Sequence, residues 1–195
     1  YGSTDRGSFS EKDKLAPSSP YSASKAASDL IAMGHHITHD LPVVVTRSSN
    51  NYGPFQFPEK LIPLFVTNLL DGLQVPIYGD GTNIRDWIHV GDNCAAIQHV
   101  LQSGEVGEIY NIGAGNEISN LELTKILLGL CERDESWIIH VEDRPGHDFR
   151  YSVDSNKVRD LGWNPRIDLE SGLAATVDWY RNNETWWRPK KAAEQ

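Results

Sequence analysis

The chain has 195 residues, 39% hydrophobic and 23% charged, the profile of a globular protein with one full core or part of a larger one. Its formal net charge of -9 argues against general nucleic-acid or membrane-surface binding, though locally gathered arginine and lysine can still receive a phosphorylated ligand. Cys94 and Cys131 are too few for a disulfide framework or a zinc site and are expected as buried reduced thiols. No apolar run is long enough to span a bilayer and no signal peptide is visible, so cytoplasm is the expected location. The chain opens at Tyr1 rather than methionine and reads as part of a longer protein.

Residues 1–20, with Gly2, Gly7, Pro17 and Pro20 among serines and charges, read as a loop. A helix is expected from about Tyr21 to His36, with Ala26, Leu30 and Ile31 on its apolar stripe. Leu41–Thr46 is a short β-branched run suited to a buried parallel strand. A long polar loop, Arg47 to Pro58, precedes helical periodicity from Lys60 to Leu70. Val75–Tyr78 reads as a strand entering the Gly79-Asp80-Gly81 turn. Then come a strand at Asp86–Val90, a helix at Asn93–Gln102 and a strand at Glu108–Ile112. A helix at Asn120–Cys131, capped by Ser119 or Asn120, leads to a strand at Trp137–Val141. Helices near Ser155–Leu161 and Leu169–Asn182 close the chain. This alternation is α/β.

Tyr21 and Lys25 carry the most chemistry. Spaced i, i+4 on a helix, they share one face, and an ammonium beside a phenol favours the phenolate, a base for an alcohol proton. The spacing alone is common on exposed helices. The loop Ser48-Ser49-Asn50-Asn51-Tyr52-Gly53-Pro54 follows a buried strand, where open α/β sheets bind ligands; a plain Asn-Gly-Pro turn is the simpler alternative. Arg85 offers a fork of donors suited to phosphate and Tyr78 a ring face for a base, or the two belong to a surface hairpin with an Arg85–Asp86 ion pair. Asp143-Arg144-Pro145-Gly146-His147-Asp148 packs ionisable groups around a turn, as a ligand-contacting loop would. His35, His36 and His39 lack a third metal ligand and read as a solvated helix end, so no metal is expected. Gly113-Ala114-Gly115 lacks the third glycine of a dinucleotide fingerprint and is rejected as a cofactor loop.

Three blocks together carry a resemblance: Pro17–Ala26 around Tyr21 and Lys25, Arg47-Ser-Ser-Asn-Asn-Tyr-Gly-Pro through Glu59-Lys60-Leu61-Ile62-Pro63, and Tyr78-Gly-Asp-Gly to Arg85-Asp-Trp. Tyr110-Asn-Ile-Gly, the 143–148 loop, Trp179-Tyr180 and Trp186-Trp187 continue it in order. The chain closely resembles dTDP-glucose 4,6-dehydratases, which are extended short-chain dehydrogenase/reductases. The resemblance covers essentially all 195 residues. It implies the carboxyl-terminal half of such an enzyme: part of a parallel Rossmann-type sheet plus a smaller α/β substrate domain. Rossmann elements are expected at about 1–56, 75–106 and 137–141, interleaved with sugar-nucleotide elements at about 57–74 and 107–195.

The resemblance implies roles residue by residue. Tyr21 is the base on the glucose 4-hydroxyl while hydride passes to NAD, and Lys25 assists Tyr21 and holds the nicotinamide ribose. Asn51 lies near the nicotinamide and Asn50 contacts substrate. Lys60, Leu61, Pro76, Tyr78, Arg85, Asn120, Asp143, Arg144 and His147 line the dTDP pocket. A homodimer using the Tyr21 helix is implied, with neither nucleic acid nor membrane as partner. Ser48 replaces a common cysteine and Phe149 a common arginine. The family's glycine-rich nucleotide loop and its Thr-Asp-Glu acid pair belong before Tyr1, and Ser3-Thr4-Asp5 reads as loop rather than a substitute, so the isolated chain is expected not to turn over. The rivals are another NAD-dependent sugar-nucleotide epimerase or decarboxylase, and a non-catalytic sugar-nucleotide-binding module.

Overall fold

The computed structural model describes residues 1–143 and 149–192. The chain divides into two compact units, one of Tyr1–Asn51, Ile84–Glu117 and Pro145–Arg166, the other of Tyr52–Asn83, Ile118–Arg144 and Ile167–Gln195.

In the first unit, α1 (Pro20–His39) starts where Ser19 Oγ accepts from the Ser22 amide, with Pro20 at the first turn, where its missing N–H costs nothing. The helix runs to His39 and stops at Asp40, whose φ of 53° is left-handed. It buries no residue fully. β1 (Val45–Ser48) begins four residues later than its apolar run; Pro42 has no amide to give a ladder, and the Val43 carbonyl instead accepts from Gly107. β2 (Asn50–Tyr52) occupies what reads in sequence as loop. β4 (Ile84–His89) passes directly into α3 (Val90–Ser103), which His89 caps by accepting from the Gly91 amide, so this helix starts three residues before its apolar periodicity. β5 (Ile109–Ile112) pairs in parallel with β1, Arg47 opposite Asn111. β4 pairs in parallel with the two-residue β8 (Arg150–Tyr151). Ile88, Ala96, Val100, Tyr110, Ile112, Val158 and Trp163 form the core, Val158 coming from the short α5 (Asn156–Asp160). Each of the buried Ile and Val side chains contributes about 1.5–3 kcal/mol by burial. Ile109–Ile112, assigned from sequence to the sugar-nucleotide part, thus belongs with β1.

In the second unit, β3 (Val75–Tyr78) and β7 (Ile138–Val141) pair in parallel, Tyr78 opposite Val141. Both fall here rather than with the Rossmann elements where the sequence reading put them. α2 (Leu61–Leu70), α4 (Asn120–Leu130) and α6 (Leu169–Asn182) pack on one another through Phe65, Val66, Leu69, Leu123, Leu127, Leu173 and Val177. α4 follows β6 (Glu117–Ser119); its cap is Ser119, in a reciprocal capping box with Glu122. The polar run after Asn183 forms α7 (Glu184–Ala192), a helix absent from the sequence reading. Fully buried Trp187 anchors it, with Nε1 donating to the Tyr180 carbonyl at 2.8 Å. Cys131 is buried as expected, but Cys94 is exposed on α3, correcting that expectation; both are free thiols. No helix among the described residues is long and apolar enough to cross a membrane.

Candidate active site

A cleft of about 520 Å³ in the first unit is lined by one face of α1, the end of β1 and the start of β2. Tyr21, Lys25 and Asn50 all reach it. The helical spacing of Tyr21 and Lys25 puts both side chains on that wall, and no hydrogen bond or ion pair holds the Lys25 ammonium among the described residues. Tyr21 is exposed. Asn51 is not on the cleft wall; its Nδ2 donates to the Ser49 carbonyl at 3.1 Å. Ser48 donates to Asn93 Oδ1 at 2.7 Å.

Beneath Lys25 lies a polar network that sequence reasoning missed. Arg47 Nε donates to Asp29 Oδ2 at 2.7 Å and its Nη1 to the Tyr1 hydroxyl at 2.6 Å. Tyr1 donates in turn to Oδ1 of fully buried Asn111 at 2.8 Å, and the Asn111 amide donates to Glu11 Oε1. Burial pushes the Tyr1 hydroxyl up, against the opposing pull of Arg47. Burial alone would lower Arg47, but its bonds to Asp29 and Tyr1 outweigh it and raise the guanidinium further. Asp29 could have been found in sequence, since 21, 25 and 29 form one helical stripe. Asn111 could not, because only the β1–β5 register sets it opposite Arg47.

Arg85 is half-buried on β4, with Nη1 donating to the carbonyls of Ile84 at 2.7 Å and Phe149 at 3.2 Å. Its neighbour is not its ion-pair partner. Asp86 is buried, and desolvation raises its carboxyl although the Asn116 amide hydrogen-bonds to it. The Asn116 amide lies 2.7 Å from Asp86 Oδ1. A Cβ at Gly113 would collide with Asp86 Oδ2, so the Gly113–Asn116 loop wraps a carboxylate.

The second unit holds Lys60, Leu61, Pro76, Tyr78, Asn120 and Asp143. The Tyr78–Asn83 turn closes on the start of α4, the Asn120 amide donating to Asn83 O and the Leu121 amide to Gly81 O, both at 3.0 Å. A Cβ at Gly79 would sit 3.3 Å from Asp143 Oδ2, so Asp143 packs against the residue that follows Tyr78. Lys60 precedes α2 and pairs with Glu59; Leu61 opens that helix, and Pro76 is half-buried within β3. Arg144 and His147 lie outside the described residues. The His35 and His39 rings lie 5.5 Å apart and tilted, and no group of three metal-binding side chains occurs among the described residues.

Parallel strand pairs, with a Tyr–Lys helix over the end of one strand, define the extended short-chain dehydrogenase/reductase class. The GDP-mannose 4,6 dehydratase family model matches residues 1–176, and the chain belongs to that family. It is similar to a dTDP-glucose 4,6-dehydratase of Actinoplanes sp. (strain ATCC 31044 / CBS 674.73 / SE50/110), 60% identical over 96% of this chain and 59% of that protein. A crystal structure of a dTDP-glucose 4,6-dehydratase from Streptomyces venezuelae, solved with NAD and TYD bound, superposes with a TM-score of 0.95 at 55% identity, covering 97% of this chain and 59% of that one. A UDP-glucose 4-epimerase from Thermus thermophilus, solved with NAD, shares the fold at 30% identity and a TM-score of 0.88, over 94% of this chain and 61% of that one. The chain spans somewhat under three fifths of the length of the curated relatives it matches.

Proposed function

We propose that this chain supplies the base and much of the sugar-nucleotide pocket of an NAD-dependent dTDP-glucose 4,6-dehydratase, working in the cytoplasm as a homodimer. The observation that carries the proposal is the convergence of Tyr21, Lys25 and Asn50 on one cleft. Greater similarity to dTDP-glucose dehydratases than to a UDP-glucose epimerase supports dehydration over inversion. The cleft's donors, a phenol and an ammonium with no partner among the described residues, suit the hydroxyls of a ribose, so the residues fit the nicotinamide-riboside end of NAD. NAD when bound supplies the hydride acceptor and later the donor.

The chain's own residues handle protons and position. The Tyr21 phenolate takes the proton of the glucose 4-hydroxyl and becomes a neutral phenol, and the Lys25 ammonium offsets the phenolate charge before that transfer while donating to the ribose. Asn50, from β2, orients the hexose. In the second unit Tyr78 offers a ring face to thymine, Asn120 and Asp143 offer amide and carboxylate groups beside it, and Leu61 and Pro76 line the apolar wall. The family resemblance gives Lys60, Arg85, Arg144 and His147 to the diphosphate, whose oxygens suit such cationic donors.

The test is product analysis with dTDP-glucose and NAD, in the enzyme that carries this chain at the full length of its relatives. Loss of one water to a 4-keto-6-deoxy sugar is expected, strongly slowed by Tyr21→Phe. A product of unchanged mass with inverted C4 would replace the proposal with epimerisation. Titration of the chain with dTDP checks the nucleotide site separately.

A further inference from the structure

α1 presents three consecutive members of one stripe to the cleft: Tyr21, Lys25 and Asp29. A lysine and an aspartate four apart on a helix are natural ion-pair partners. Such a pair would draw the Lys25 ammonium down the helix, away from Tyr21. It does not form here. The Asp29 carboxylate is taken by Arg47 Nε at 2.7 Å, and Lys25 has no partner among the described residues. Arg47 is itself fixed from behind. Its side chain is only 12% exposed, its Nη1 donates to Tyr1 at 2.6 Å, and its guanidinium lies 4.8 Å over the Tyr1 ring, which stacks on Phe9. Tyr1 is tied to buried Asn111, the register partner of Arg47 on β5. The sheet thus holds a guanidinium in place whose one carboxylate partner sits directly below the lysine.

We infer that Arg47 is a positioning residue: by occupying Asp29 it keeps the Lys25 ammonium unpaired and directed to Tyr21 and the ligand. This rests on the reading of Tyr21 and Lys25 given above. Without Arg47, the half-buried Asp29 carboxylate takes the nearest cation, Lys25. An exposed pair of this kind is worth enough to hold the ammonium about two- to fivefold more often than not.

The experiment compares Arg47→Gln with the double variant Arg47→Gln/Asp29→Asn, which has neither the guanidinium nor a carboxylate to capture Lys25. On the chain itself, the acetylation rate of Lys25 by acetic anhydride is mapped by mass spectrometry against exposed Lys14. The rate should fall by about three- to sixfold in Arg47→Gln and recover in the double variant. In the full-length enzyme kcat should follow the same order, with KM for dTDP-glucose little changed. A purely structural role predicts the double variant to be no better than Arg47→Gln, and that result overturns the inference. An unchanged Lys25 rate in a folded Arg47→Gln overturns it equally. Tyr21→Phe in parallel separates the two readings: if it keeps full turnover the assignment of Tyr21 fails, whereas the Lys25 reactivity stands or falls on its own.

Discussion

Gly172→Ala sets helix propensity against packing, and the structure decides which wins. Gly172 lies within α6, where replacing glycine by alanine ordinarily gains about 0.8–1 kcal/mol. Here the new Cβ would collide with the Tyr52 hydroxyl oxygen and stand 3.0 Å from Ile167 Cγ2 and 3.1 Å from Tyr52 Cζ. Tyr52 is 1% exposed and cannot swing aside, so ring or helix must shift at an overpacking cost of about 1–3 kcal/mol. The net is a loss of roughly 0–2 kcal/mol. A central loss of ~1 kcal/mol lowers the melting temperature by about 2–4 °C in a chain of this size. Gly34→Ala is the control: nothing lies within 4 Å of its Cβ position in α1, so only the propensity gain remains and helicity by circular dichroism should rise. Denaturant unfolding of Gly172→Ala, Tyr52→Phe and the double variant isolates the clash, because removing the phenol oxygen relieves the shortest contact. A Gly172→Ala more stable than the parent, or a double variant whose losses simply add, would refute the reasoning.

Tyr21→Phe in the full-length enzyme should cut kcat by roughly 10²–10⁴-fold while dTDP affinity, measured by calorimetry, stays within about twofold. Glu117 offers a pH test. Burial would raise its carboxyl, but the Arg150 fork at 2.7 and 2.9 Å and the Ser152 hydroxyl at 2.6 Å outweigh burial and hold it below its ordinary value. Its folded pKa lies below the unfolded one, so its stabilisation is complete above the ordinary carboxylate range, near ~4.3, and is lost as pH falls through the depressed value. Glu117→Gln should therefore be less stable than the parent at neutral pH by about 1.5–3 kcal/mol, with the gap closing in acid; a gap independent of pH would contradict the pairing. Tyr180→Phe removes the bond from the buried Tyr180 hydroxyl to the Gln56 carbonyl and should cost about 1–3 kcal/mol in urea unfolding. Burial raises the Tyr180 phenol well above its ordinary value, so spectrophotometric titration should lose no early-titrating tyrosine in that variant.

Much of the fold was readable because its signals are local. The apolar run Leu61–Leu70, the strand Val75–Tyr78 and the Ser119–Glu122 capping box depend on side chains within one turn or one pleat of each other. The elements that escaped are held by distant partners. β2 has three residues and exists through its sheet neighbours, and α7 is polar but for the buried Trp187 that docks on Tyr180. The Arg85–Asp86 ion pair looked natural because the residues are adjacent, yet a strand turns neighbours to opposite faces: Asp86 goes inward to Asn116 while Arg85 reaches backbone carbonyls. Cys94 read as a buried thiol because two distant cysteines offer no disulfide framework or metal site, but it is exposed on α3.

By itself the sequence determined the alternation of strands and helices, the family, and the Tyr21–Lys25 spacing, since these depend on residue type and on the fixed periods of the backbone. Only the tertiary structure decided which strands pair, and so which unit holds Ile109–Ile112 or Val75–Tyr78. It also decided what surrounds the Tyr–Lys pair. Helical geometry offers Lys25 two neighbours, Tyr21 one turn before and Asp29 one turn after. Which of them it serves depends on a guanidinium that β1 brings from eighteen residues further along the chain.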